Sequence, residues 1–257
     1  DAGEGTPVVL LHGLTATKRY VVMGSTSLQR SGHRVIAYDA RGHGGSDPAP
    51  SPDAYEYADL AEDLVGVLDD HGLDRAGLVG ASMGAHTALR VALDRPERVA
   101  GLVVVTPAYD PDELEDERRL ARWDRLSDGL RSGGVEGFVE AYGEPEVPEQ
   151  WRDTVLRVVR QRLGQHEHPE AVADALRVVP RSRPFGTVDD LKAIHAPTIV
   201  VADRDEADPG HPLAIGEAYA ETIPGARLVV EEEGKSPIAW QGGQLSRVVA
   251  ELAEAAS

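Results

Sequence analysis

Residues 77–84, Gly77-Leu78-Val79-Gly80-Ala81-Ser82-Met83-Gly84, form the most informative pattern in this chain. The first of them are apolar and predict a short buried strand, whereas residues 85–93 predict a helix. A serine in the pattern G-x-S-x-G therefore stands at a strand-to-helix turn. Such a turn is sharply bent and lifts the serine hydroxyl above the sheet, and its glycines let strand and helix approach closely. We therefore expect Ser82 to be a nucleophile rather than a residue of an ordinary turn.

On both sides of this turn the sequence alternates between short apolar runs and helical patterns. The predicted strands are residues 8–11, 34–39, 76–80, 100–105, 198–201 and 227–230. The predicted helices are residues 21–30, 59–68, 85–93, 213–220 and 244–255. This alternation is typical of an α/β fold with a mostly parallel sheet between two layers of helices. We expect a sheet of about six strands.

The alternation stops between residues 108 and 183, where the sequence contains no convincing strand. This segment is strongly charged, and Leu120, Trp123, Leu126 and Leu130 recur at helical spacing. We interpret it as a helical cap inserted into an α/β core, and the core then comprises residues 1–107 and 184–257.

Composition narrows the classes of partner. The chain has 257 residues, a formal net charge of −18 and no cysteine, and 41% of its residues are hydrophobic. Such a charge disfavours binding to nucleic acid or to anionic membrane surfaces, and no apolar run has the length of a membrane span. We expect a cytoplasmic protein with a small-molecule substrate, and the sequence does not indicate an oligomeric state.

Further motifs follow in order along the chain. They are Leu10-Leu11-His12-Gly13-Leu14, Asp39-Ala40-Arg41-Gly42-His43-Gly44-Gly45-Ser46, Ala202-Asp203-Arg204-Asp205 with Pro209, and Gly234-Lys235-Ser236-Pro237. Together with the serine turn, these motifs resemble those of the capped α/β-hydrolases, a group of esterases, lactonases, haloperoxidases and C–C hydrolases. The resemblance covers nearly all of the chain outside residues 108–183. The strand pair that usually opens the sheet in this family is not evident ahead of residue 8.

The resemblance implies a role for each motif. Ser82 would be the nucleophile, and the backbone amides of Leu14 and Met83 would form the oxyanion hole. Asp205 would be the acid, and Lys235 occupies the place of the family's catalytic histidine. The implied reaction is hydrolysis of a carboxylic ester or lactone through an acyl-Ser82 intermediate, without a cofactor or metal.

Lys235 is the main departure from the family pattern. The pKa of a free lysine is about 10.4, so lysine becomes a base near neutrality only if desolvation lowers its pKa by roughly three units. A carboxylate at Asp205 would act in the opposite direction by stabilising the ammonium. The Asp205–Lys235 pair is therefore better explained as a salt bridge than as a catalytic dyad.

Several alternatives follow for the base and the acid. Lys235 acts as a weak base, or a histidine substitutes for it, either His211 in the loop after Asp205 or His86 one turn beyond Ser82. Asp110 is a second acid position, which some relatives use. If no base is present, the chain is a non-catalytic or weakly active ligand-binding protein of the same fold. We expect the histidines at positions 12, 43, 166 and 168 to be structural.

Overall fold

The computed structural model describes the backbone of residues 1–255 and the side chains of residues 1–252. A single parallel sheet has the strand order β2-β1-β3-β4-β5-β6. Its strands are β1 (Thr6–Leu11), β2 (His33–Ala37), β3 (Ala76–Ala81), β4 (Val99–Val105), β5 (Thr198–Ala202) and β6 (Arg227–Val230). The predicted α/β class and the number of strands are confirmed.

Eight α-helices accompany the sheet in the described part of the chain. They are α1 (Ser27–Arg30), α2 (Tyr57–Asp70), α3 (Met83–Asp94), α4 (Glu117–Tyr142), α5 (Glu149–Leu163), α6 (Pro169–Val178), α7 (Leu213–Thr222) and α8 (Gly242–Ala255). The helix expected at residues 21–30 is reduced to α1, because Met23 and Gly24 have φ angles of 48° and 72°, which no right-handed helix allows.

Two apolar clusters cover the two faces of the sheet. Successive residues of a strand point to opposite faces, so Val9 packs with residues of α2, α3 and α7, while Val8 packs with α1 and α8. Both sheet faces are therefore buried, which explains why strands such as Val99–Val105 are apolar throughout.

The segment between residues 108 and 183 contains α4, α5 and α6 and, as described, no strand. Within α4 the chain kinks at Gly134, whose φ of 60° interrupts the helix. Apolar residues of the three helices join Leu14 and Met83 in a third cluster. The inserted helices thus pack against the end of the sheet where β1 and β3 terminate.

Near the start of the chain, Ala2 forms an isolated antiparallel bridge with Val35 of β2. None of the described helices is both long and apolar enough to cross a membrane.

Candidate active site

Ser82 lies between the last residue of β3 and the first residue of α3. Its φ and ψ are 50° and −113°, a strained conformation for a residue with a side chain. Its amide donates to the Val105 carbonyl at 2.9 Å, which ties the turn to the neighbouring strand β4. The side chain makes no capping bond to α3, and the residue is half-buried. The strand-to-helix geometry expected from the sequence is therefore present.

The glycines on either side of Ser82 make this turn possible. A Cβ at Gly80 would collide with the Gly84 carbonyl, and a Cβ at Gly84 would collide with the Leu11 carbonyl. Each collision is with backbone, which cannot move without displacing β1 or α3. The spacing G-x-S-x-G is therefore a packing requirement of β1, β3 and α3.

The loop after β1 brings a second backbone segment to Ser82. A methyl group at Gly13 would lie 3.5 Å from the Ser82 Cβ, so Gly13 and Leu14 border the turn. The Leu14 amide donates to no other backbone group in the described chain. Met83 is the first residue of α3, so its amide has no partner within the helix. Within the described residues, both expected oxyanion-hole donors are therefore free of backbone partners.

Two buried histidines hold this loop. Nδ1 of His12 donates to the Gly13 carbonyl at 2.8 Å, and its Nε2 accepts from the Ala40 amide at 2.9 Å. Nε2 of His43 lies 2.6 Å from the Leu14 carbonyl oxygen. Burial lowers the pKa of His12 to about 3 and also lowers the pKa of His43. These contacts agree with the structural roles expected for both residues.

His86 is fully engaged by its surroundings. Its Nε2 accepts from the amides of Ala108 and Tyr109, each at 3.2 Å, and its Nδ1 contacts the Tyr57 hydroxyl at 3.1 Å. Burial lowers the pKa of His86 to about 3. Because both ring nitrogens have partners, His86 offers no free nitrogen to Ser82.

Asp205 and Lys235 are both exposed. Oδ1 of Asp205 accepts from the Leu213 amide at 2.7 Å, at the start of α7. The ion pairs of the described chain include Lys18 and Lys192, but none involves Lys235. The salt bridge expected between Asp205 and Lys235 is therefore not formed among the described residues. Asp110, the second acid position, accepts from the Asp112 amide at the start of a short 3-10 helix.

The loop after β5 contains a charged pair that the sequence motif did not indicate. Nδ1 of His211 lies 2.8 Å from Oδ2 of Asp208, and the side chains are 26% and 21% exposed. Burial disfavours the charged imidazole, but the nearby Asp208 carboxylate outweighs this and raises the pKa of His211. His211 was an alternative base in the sequence. Its partner could have been suspected only from the three-residue spacing within one loop.

The same end of the sheet buries two further carboxylates. Asp203 follows β5 directly, and neither of its oxygens has a hydrogen-bond partner among the described residues. Burial, reinforced by the charges of Asp208 and Glu231, raises the pKa of Asp203 to about 8. Oε1 of Glu231 accepts from the Arg204 amide at 2.5 Å. Asp203 is therefore largely protonated at neutral pH.

The inserted helices supply a positive charge to this cluster. Arg162 of α5 acts electrostatically on both Asp208 and His211, and its buried Nε has no hydrogen-bond partner in the described chain. Among the described residues no group of three or more metal-ligating side chains is positioned to hold a metal ion.

A family model for the alpha/beta hydrolase fold matches residues 6–141, more than half of the chain. This chain belongs to the α/β-hydrolase family. A protein of Variovorax paradoxus named as a carbamate hydrolase, RutD, is 34% identical over 208 residues, which are 79% of this chain and 75% of the relative.

Solved structures of other α/β-hydrolases extend the comparison. A thermophilic esterase from Thermogutta terrifontis superimposes with a TM-score of 0.81 and 27% identity, over 99% of this chain and 92% of its own. Est816, an N-acyl homoserine lactone degrading enzyme, gives a TM-score of 0.74 and 28% identity, over 98% of this chain and 93% of its own. The similarity to these relatives supports the assignment of this chain as a hydrolase.

Proposed function

We propose that this α/β-hydrolase cleaves a carboxylic ester or lactone through an acyl-enzyme intermediate on Ser82. The observation that carries the proposal is the strained turn at Ser82, with a φ of 50° at the junction of β3 and α3. A strained conformation persists only where the surrounding structure enforces it, and such conformations concentrate at active sites. Here the close approach of Gly80 and Gly84 to backbone enforces it.

The proposed reaction has two halves. In the first, Ser82 Oγ loses its proton to a base and bonds to the substrate carbonyl carbon, while the carbonyl oxygen becomes an oxyanion. The bond to the leaving oxygen then breaks, and that oxygen takes the proton from the base. In the second half, water repeats these steps on the acyl-Ser82 ester, which releases the acid and restores the hydroxyl.

The amides of Leu14 and Met83 are the proposed donors to the oxyanion. Each such donor contributes about 3 kcal/mol to transition-state stabilisation in acyl transfer. Met83 also opens α3, so the positive end of the helix dipole faces the same charge. The His12 and His43 contacts would keep the Leu14 donor in place as charge develops.

The substrate class is proposed from the cluster above the turn. Residues 108–183 would act as a cap, because apolar side chains of α4, α5 and α6 pack with Leu14 and Met83. An apolar roof favours an uncharged acyl or lactone group. The names of the relatives, an esterase and a lactone-degrading enzyme, agree with that class.

The family motif points to Asp205 as the acid and Lys235 as the base, but both side chains are exposed and no ion pair of the described chain joins them. The same observation favours a second candidate function, a ligand-binding protein of this fold without efficient catalysis. Measuring hydrolysis distinguishes the two functions.

The test compares native protein, Ser82→Ala and Ser51→Ala on p-nitrophenyl acetate, p-nitrophenyl butyrate and γ-butyrolactone. Ser51 is an exposed serine far from the turn in sequence and serves as the matched control. We expect Ser82→Ala to lower kcat/KM at least about 10³-fold and Ser51→Ala to leave it unchanged. Equal rates for native protein and Ser82→Ala would reject the enzymatic proposal.

A further inference from the structure

We infer that the Asp208–His211 pair, in the loop after β5, supplies the general base for Ser82 in place of the histidine that the loop after β6 lacks. This inference rests on the proposed function of Ser82. It differs from the motif-based assignment in both residues, because it replaces Lys235 as the base and Asp205 as the acid. It also differs from the family arrangement in taking acid and base from a single loop.

The hydrogen bond between the two side chains has the form that catalysis requires. In a serine hydrolase triad, the carboxylate binds one ring nitrogen of the histidine and leaves the other free for the serine. Asp208 Oδ2 binds Nδ1 of His211 at 2.8 Å, so Nδ1 carries the proton and Nε2 is the basic nitrogen. The pair therefore fixes both the tautomer and the ring orientation.

The position of the loop in the sheet supports the inference. Strands β3, β4 and β5 are adjacent and parallel, so the residues that follow them meet at one edge. Ser82 follows β3, and the loop containing His211 follows β5. The charge of His211 lowers the pKa of His86, which lies one turn beyond Ser82 on α3. Tyr219 of α7, the helix that begins just after His211, packs on His86 with ring centroids 6.5 Å apart.

The other histidines at this edge are already engaged. His12, His86 and His166 each use both ring nitrogens in hydrogen bonds to neighbouring groups, and both nitrogens of His43 contact backbone carbonyls. Burial lowers the pKa of each of these four imidazoles, which makes them weak bases. His211 differs in both respects, because it has one nitrogen bound to a carboxylate and a raised pKa.

Titratable groups on its own loop, β5, α3 and α5 act on His211. Asp208 on its own loop raises its pKa, whereas Arg162 of α5 lowers it, and His86 of α3 lies within electrostatic range. Asp203 at the end of β5 is largely protonated at neutral pH and raises the pKa of His211 further only where it ionises. The Asp208 carboxylate outweighs burial, so the pKa of His211 is raised above its usual value of about 6.5. Only the neutral imidazole accepts a proton, so activity must increase with pH through that pKa.

The inferred proton path uses this pair. Nε2 of His211 takes the proton of Ser82 Oγ as the oxygen bonds to the carbonyl carbon, and Asp208 stabilises the resulting imidazolium. The imidazolium then returns that proton to the leaving oxygen as the carbon–oxygen bond breaks. In deacylation the donor of the proton is water.

The experiment compares native protein, His211→Gln, Lys235→Met and a matched control, His195→Gln, which changes an exposed histidine. We measure p-nitrophenyl butyrate hydrolysis between pH 5 and 9 and confirm folding by circular dichroism. His211→Gln is expected to lower kcat/KM about 10²- to 10⁴-fold, while His195→Gln leaves it unchanged and Lys235→Met retains most of it. A loss in Lys235→Met with full activity in His211→Gln would overturn the inference.

A second measurement does not depend on turnover. The His211 ring resonances, assigned by their absence from His211→Gln, are titrated by NMR in native protein, Ser82→Ala and Asp208→Asn. The titration midpoint is expected above the usual range in native protein and Ser82→Ala, and lower in Asp208→Asn. Midpoints that are equal in native protein and Asp208→Asn would overturn the inference.

The hydrolysis measurements distinguish failure of this inference from failure of the proposed function. Ser82-dependent hydrolysis that persists undiminished in His211→Gln rejects His211 as the base and leaves the proposed function intact. Hydrolysis that is absent from native protein, or equal in Ser82→Ala, rejects the proposed function and the inference together.

Discussion

The loops that follow β5 and β6 leave adjacent parallel strands at the same edge of the sheet, yet they differ in the surroundings of their candidate bases. The first loop buries Asp203 and joins Asp208 to His211. In the second, residues 232–235 are exposed, and Lys235 lies among them. The family motif points to the second loop for the base, whereas burial and hydrogen bonding favour the first. A place in a motif therefore does not by itself assign a chemical role.

The largest expected effect is the difference in kcat/KM between the variants Asp208→Asn and Asp205→Asn, which change two carboxylates of the same loop. Loss of the Asp208 charge removes the group that orients and stabilises the His211 imidazolium, so kcat/KM should fall about 10²- to 10³-fold. Asp205 caps the start of α7. Its replacement by asparagine should leave kcat/KM within a few-fold and change the free energy of unfolding by less than about 1 kcal/mol, because the asparagine Oδ1 can still accept from the Leu213 amide.

Steady-state kinetics and thermal unfolding of both variants test this pair. A greater loss of activity in Asp205→Asn than in Asp208→Asn would indicate that Asp205 is the acid.

The next effect concerns stability. The pKa of Asp203 is about 8 in the folded protein and about 3.9 in the unfolded chain, so the folded protein binds more protons between these values. The free energy of unfolding of the native protein must therefore decrease as pH rises from 4 to 8. Asp203→Asn removes the titrating group and should be progressively more stable than native protein over that range, by on the order of a few kcal/mol at pH 8.

Urea unfolding at pH 5, 6.5 and 8 measures the difference, with Glu206→Gln as the control because Glu206 is an exposed acid in the same loop. A difference between Asp203→Asn and native protein that does not change with pH would show that Asp203 is ionised at all three values.

The smallest effect is expected at Lys235. Lys235→His restores the family residue, but the side chain at this position is exposed and has no ion pair in the described chain. We expect kcat/KM for p-nitrophenyl butyrate to change by less than about threefold, since an imidazole in solvent does not act on Ser82. An increase of tenfold or more would indicate that the loop after β6 is the true site of the base.

The fold was accessible from sequence because its signals are local. Apolar runs such as Val99–Val105 indicate buried parallel strands, and the glycines around Ser82 indicate a close strand-to-helix turn. The positions of Leu14 and Met83 followed from the same motifs. Each of these signals depends on residues that are neighbours in sequence.

The inferred base could not be predicted in this way, because the suitability of a histidine as a base depends on its burial and on neighbours from several elements. His211 is distinguished from the other buried histidines by its hydrogen bond with the Asp208 carboxylate and by the raised pKa that results. The exposure of Lys235 and the full engagement of His86 are likewise properties of tertiary packing. Sequence could name these residues but could not rank them.

The most direct test of Ser82 as the nucleophile is intact-protein mass spectrometry after prolonged reaction with a fluorophosphonate, followed by peptide mapping. If Ser82 is the nucleophile, native protein carries a single phosphonyl adduct, located on the peptide that contains Ser82, and Ser82→Ala carries none. No adduct on native protein, or an equal adduct on Ser82→Ala, would contradict that role.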